Sequence, residues 1–244
     1  MKHLSLLIIS IAIGNISYGQ QRILRGPLWS FHSKNTDILG ISVGILPKEI
    51  FKDSTLTRTF GLRLEAPGLG VLLPLVPKSM VSETVDSYSK KIRATPSEFI
   101  YGLNLSTGAV GNVEVYGLNL AIIGQYNLKT HGLSCSTFAT LSEKTNGISM
   151  SILGNESFVC NGMQIAALGN FSTVANGLQV GIINGSVHMH GVQVGVLNNF
   201  KINATHLQGL QLGLLNKTAN LKGIQIGLWN KNNKRSLPFI NWNF

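Results

Sequence analysis

One phrase recurs along this chain. "GVQVGVLNN" from Gly191, "GLQLGLLNK" from Gly209 and "GIQIGLWNK" from Gly223 put two glycines, an amide and aliphatic residues at matching offsets. With the first glycine as phase mark, the series Gly102, Gly117, Gly132, Gly147, Gly162, Gly177, Gly191, Gly209 and Gly223 advances by 15 residues five times, then by 14, 18 and 14. So regular a spacing means an array of one small unit whose copies stack on each other.

Inside the unit the residue after the glycine is always apolar, from Leu103 to Ile224, and so is the residue two further on, from Leu105 to Ile226. Between them stands a small polar residue: Asn104, Asn119, Ser134 and Ser149, then Gln164, Gln179, Gln193, Gln211 and Gln225. Alternation with period two reads as a half-buried strand. A helix is excluded, because glycines at the first and fifth places would each cost about 1 kcal/mol relative to alanine. Asn184, Asn198, Asn216 and Asn230 close the strand where it turns. With aliphatic residues assigned to the interior, the five glutamines become an outward row, hydrogen-bonded copy to copy, and a candidate interaction face. The fifth place holds only Ser, Ala or Gly. It either leaves that outer face flat enough for another surface to approach, or reflects steric fit within the sheet.

Two all-β arrays satisfy this pattern: a parallel β-solenoid of about nine coils of 14–18 residues, or an antiparallel outer-membrane β-barrel of about 12 strands. In "VHMHGVQVGVL" the apolar Val187 and Met189 are out of phase with Val192, Val194 and Val196. A straight strand cannot place both sets on one face, whereas a corner at the glycine can. The alternation also runs out before the roughly 9 to 11 residues that a barrel strand needs. Both points favour the solenoid. The ending "LPFINWNF" has the alternating, aromatic-terminated look of a final barrel strand, and otherwise reads as a strand capping a solenoid at residues 237–244. The array proper is expected over residues 101–236. Residues 20–100 read as an irregular N-terminal β cap, with a polar excursion from Ser79 that is either loop or short helix.

Residues 1–19, with Lys2, an apolar run from Leu4 to Ile13 and small residues at Ser17 and Gly19, have the make-up of a secretory signal peptide. The run is too short to span a bilayer as a helix. Twenty basic residues stand against ten acidic ones, a formal net charge of +10. That balance favours anionic partners at a surface, but no aromatic residues interleave with the basic ones as a nucleic-acid platform requires. No nucleic-acid partner is expected.

Chemistry is sparse in the pattern. His188, His190 and His206 fall close in repeat phase without a carboxylate or cysteine in register, so no metal site is expected. No paired carboxylates, nucleophile motif or phosphate-binding loop stands out, and neither catalysis nor a cofactor is expected. Cys135 and Cys160, the two cysteines, are expected inside the array, more readily as free thiols than as a bridge.

The unit "GLQVGIIN" and its variants, from Gly102 to Asn230 with echoes at "GISVGILP" and "GLRLEAPG", resembles the short-repeat surface proteins of exported Bacteroidetes and spirochaete chains. It has a looser likeness to the heads of trimeric autotransporter adhesins. The early units depart from the pattern, with Asn or Ser in place of Gln. The resemblance implies an envelope or cell-surface location and no assigned chemistry; the regular array and the lack of catalytic groups favour a structural or adhesive module, expected at the cell surface or outer membrane of a Gram-negative bacterium. Envelope components or anionic surface ligands, the outer membrane, or further copies of the chain are then the expected partners. The barrel alternative implies a pore.

Overall fold

The structure, a computed structural model, describes residues 22–51, 56–199 and 205–244. The expected signal peptide lies outside the described residues. The chain is an all-β parallel solenoid of about 13 turns. Its strands are β1 (Ile23–Arg25), β2 (Leu28–Ser30), β3 (Thr36–Gly44), β4 (Thr57–Glu65), β5 (Glu98–Ser106), β6 (Ala109–Val110), β7 (Val113–Ala121), β8 (Gly124–Ser136) and β9 (Ala139–Ser151). They continue through β10 (Gly154–Ala166), β11 (Gly169–Val180), β12 (Ile183–Val194), β13 (Leu197–Asn198), β14 (His206–Leu212), β15 (Leu215–Lys217), β16 (Asn220–Lys231) and β17 (Ser236–Asn243).

Each turn pairs in parallel with the next in unbroken register, so that Gln164 lies over Gln179, Gln179 over Gln193, and Gln193 over Gln211. The antiparallel barrel is therefore not the fold. The one antiparallel pairing among the described strands is β17 on β16, where the chain folds back and covers the last open edge. An exposed terminal strand would otherwise invite pairing with another chain.

The array is longer than the expected nine coils, because it begins before residue 100. β3 and β4 stack in register beneath β5, which puts Gly40 and Gly61 in the same column as Gly102. At about 4.8 Å per turn the stack is roughly 60 Å long. The polar excursion from Ser79 folds as α1 (Val85–Arg93), whose N-cap Thr84 accepts from the Ser87 backbone N–H in a capping box, and an apolar 3-10 helix over Leu69–Leu75 precedes it. α1 docks against the side of the stack through Tyr88 stacked on Phe158 at 4.3 Å and Lys91 paired with buried Glu143 at 2.6 Å.

Every phase-mark glycine, eleven in all among the described residues, has a φ between +119° and +142°. The strand bends there without losing its alternation, and this inverts the expected assignment of faces. Met189 and Gln193 lie on the same side, both at 0 % exposure, while Val192 and Val194 point outward and are half-buried by their stacked neighbours. Gln164, Gln179, Gln193, Gln211 and Gln225 are thus interior, between 0 and 1 % exposed, and form no outer face.

Their burial is tolerable because the ladder satisfies itself. Each amide nitrogen donates to the carbonyl oxygen of the glutamine one turn below: Gln179 to Gln164 at 2.8 Å, Gln193 to Gln179 at 2.8 Å, Gln211 to Gln193 at 2.7 Å and Gln225 to Gln211 at 2.7 Å. Asn241 of β17 donates to Gln225 at 3.0 Å and ends the series. A buried amide with its partners in place carries little penalty, whereas an unpaired one costs about 1–3 kcal/mol.

A second interior ladder runs through the strand-closing asparagines Asn155, Asn170, Asn184, Asn198, Asn216 and Asn230, each bonded to the next at 2.7–3.0 Å. These side chains also explain the small fifth place. A Cβ on Gly195 would stand 2.6 Å from the Asn184 Nδ2, so steric fit, and not a flat outer face, sets the residue type there. Apolar packing is confined to patches such as the column Ala175, Met189, Leu207 and Leu221.

Candidate interaction surface

With amides inside, the aliphatic residues of the unit are left outside. Two adjacent columns climb the stack. One runs through Ile41, Leu62, Leu103, Leu118, Leu133, Ile148, Met163, Leu178, Val192, Leu210 and Ile224, in register turn to turn. The other runs through Val43, Leu64, Leu105, Leu120, Cys135, Met150, Ile165, Val180, Val194, Leu212 and Ile226. Neither contains a charged residue. At the adjoining corner Ile122, Ile152, Ile182, Val196, Leu214 and Leu228 are 39 to 66 % exposed, and Trp229, Trp242 and Ile240 extend the surface over the capped end. A hollow of about 450 Å³ lies between Leu64, Leu105, Leu120 and Ile122.

On the side preceding the glycines the outward column changes character along the stack. Phe60, Tyr101, Tyr116 and His131 stack ring on ring at 4.4–5.1 Å. The column then continues as a hydrogen-bonded series through Asn146, Asn161, Asn176 and His190 at 2.7–3.1 Å. Beside it Glu114 accepts from the Tyr116 hydroxyl at 2.5 Å and from Lys129 at 3.0 Å. Desolvation opposes its ionisation, but these two bonds prevail and hold the carboxyl below its usual range.

Charge is also built into the N-terminal turns. Arg63, 1 % exposed, occupies the glutamine position of its turn and donates to Glu98 at 2.7 and 3.0 Å, to Glu65 at 2.9 Å and to Asn104 at 3.1 Å. Its guanidinium also lies over the Phe31 ring at 4.0 Å. Burial disfavours the charged arginine, yet the two carboxylates more than compensate and raise its pKa. The cluster begins the polar ladder: Asn104, held by Arg63, donates to Asn119 at 2.7 Å. The two carboxylates are thus committed to one guanidinium inside the stack, where they work as structure. In the sequence this group shows only as Arg63 standing in glutamine register, and its carboxylate partners are not legible there.

The three histidines are surface groups. His188 and His206 stack at 5.0 Å, His190 Nδ1 bonds to Asn176 and His206 Nδ1 to Asn220. Among the described residues no three His, Cys, Asp or Glu side chains are grouped so as to hold a metal ion.

Both cysteines are free thiols. Cys135 is in the outward column, not the interior as expected, and Cys160 is in the inward column two turns further on, so they lie on opposite faces. Burial, opposed by a hydrogen bond from Ser157, pushes the Cys160 thiol up to about 12. A thiol reagent at pH 8 is expected to titrate one cysteine in the native protein and the second only after unfolding. A native count of zero that rises with reductant would instead show a bridge.

No protein-family model, curated protein or solved structure matches this chain.

Proposed function

We propose that the protein is a non-enzymatic structural or adhesive module of the cell envelope, exported and held at the cell surface or outer membrane. The observation that carries this reading is the charge-free outer surface of aliphatic columns repeated over eleven turns. Taking about 4.8 Å per turn and a width of four to six residues, it covers on the order of 800 Å², beyond the roughly 300–600 Å² of the largest apolar patch on a typical monomer. A surface of that extent is built to be covered. The interior works as a scaffold whose ladders keep the turns in register and so hold the outer columns straight. A supporting consideration is the make-up of residues 1–19, which suits export, together with the resemblance of the unit to surface-repeat chains.

Expressing the chain from Met1 in a Gram-negative host and fractionating the cells tests this reading. The expected result is recovery in the envelope fraction with the first 19 residues removed. Recovery of the uncut chain in the cytoplasm would overturn it.

A further inference from the structure

The last turn shows what the outer surface is suited to meet. Its outward side chains run Lys222, Ile224, Ile226, Leu228, Trp229 and Lys231, an apolar stripe with a cation at each end and a tryptophan beside one of them. The turn before carries leucines along the same stripe and closes on Lys217, with Gln208 in the register of Lys222 and Leu215 in that of Trp229. We propose that this surface is a lipid-binding face, lying in one leaflet of a bilayer with anionic headgroups. The proposal rests on the envelope reading above and specifies what covers the columns.

Three features favour lipid over a second copy of the chain. The formal charge of +10, or +9 once Lys2 leaves with the first 19 residues, opposes the approach of another copy and favours an anionic surface. Hydrocarbon offers no hydrogen bonds, and the columns ask for none, since their backbone is paired turn to turn. Tryptophan flanked by lysine is the composition that settles at the boundary of hydrocarbon and headgroup, where the ring stays half-buried and the ammonium reaches phosphate. On the capping strand Trp242, 47 % exposed, pairs with Ile224 and adds a second ring at the same end.

The test uses residues 20–244, which contain the whole described fold and omit the apolar leader. The protein is floated with vesicles of phosphatidylcholine containing about 30 % phosphatidylglycerol, which gives an anionic surface, and with vesicles of phosphatidylcholine alone. The expected result is co-flotation with the anionic vesicles, a blue shift of the tryptophan emission, and weakening by salt. The double variant Val194→Asp with Leu228→Asp, both outward, is expected to stay folded, melting within about 4–8 °C of wild type, and to bind the anionic vesicles at least tenfold more weakly. If the variant melts early, the milder Leu228→Ser alone serves, with a several-fold loss expected.

Equal flotation of variant and wild type overturns the proposal. So does a dimer in lipid-free ultracentrifugation that the double variant dissolves, because a second copy is then the occupant. Binding to delipidated envelope but not to vesicles overturns the lipid face and leaves the envelope reading standing. Binding to neither removes both.

Discussion

Gln193→Leu is expected to destabilise the protein by about 3 kcal/mol, while Val194→Asp, one residue along, changes stability by no more than about 1 kcal/mol. Gln193 donates to Gln179 at 2.8 Å and to Asn199 at 3.2 Å, and accepts from Gln211 at 2.7 Å. Leucine removes these three bonds, and a longer one of 3.5 Å to the Ser186 hydroxyl, from a position with no access to water. Gln211 Nε2 is then left with one long bond, 3.3 Å to the Lys217 carbonyl. Three lost bonds at about 1 kcal/mol each, offset only in part by the apolar character of leucine, set the size of the effect. Val194 points outward, so an aspartate there remains hydrated and loses mainly strand preference and contact with the valine and leucine stacked on either side. Urea denaturation of the two variants checks the order. If Val194→Asp is the more damaging, the aliphatic columns are inside and the outer surface described above does not exist.

The usual expectation for such a pair is the reverse, and the reason it fails bears on how much of this fold is legible in the sequence. Period two, the stacking of copies in register and the C-terminal capping strand follow from offsets that can be read in "GVQVGVLNN" and "LPFINWNF". The two grounds that favour the solenoid over the barrel do not hold, since β8–β12 run 12–13 residues through the glycines without a corner there. Period two defines two faces but not which of them is enclosed. Assigning the apolar one to the interior is the general tendency, and it is overruled here because identical amides one turn apart bond to each other without water. One signal was available. Met189 and Gln193 are four residues apart, so any strand that keeps its alternation through Gly191 must put them on the same side. The apparent change of phase at the glycine is a change in which face is apolar, not a corner that gathers the apolar residues.

The buried Arg63 group was less legible for a different reason. Its two carboxylates are brought to it from different places along the chain, Glu98 from the next turn after an excursion of thirty-odd residues and Glu65 from its own strand. Only the pairing of β4 on β5, across that excursion, sets them around one guanidinium. The residues of the outer surface, by contrast, are all legible in the repeat. What hides the surface is the assumption that aliphatic columns of such regularity must be a core.

Gly191→Ala is expected to cost at least about 4 kcal/mol, as is the same change at the other phase-mark glycines that share its geometry. Two costs coincide at that position. The φ of +140° is one that a residue with a Cβ rarely adopts, and the strain alone amounts to about 1–3 kcal/mol. The new methyl would also overlap the carbonyl oxygen of Gly177 one turn below, far inside van der Waals contact, and neither group is a flexible side chain that can swing away. Relief requires the two turns to part. Parting them stretches the ladder that joins Gln179 to Gln193 and the one that joins Asn184 to Asn198, on either side of the glycine. Because each turn is held only by its neighbours, the damage is expected to divide the stack there, with the turns on one side melting before those on the other. Gly154→Ala is the control: its backbone lies outside the positive-φ region, and the nearest atom to an added methyl is the Gly169 carbonyl oxygen at 3.3 Å. That variant should stay within about 1 kcal/mol of wild type. Amide hydrogen exchange on Gly191→Ala reads the outcome turn by turn. Uniform loss of protection along the whole stack would mean that the turns unfold as one cooperative unit, whereas unchanged protection would mean that the glycine column is not where the stack is held together.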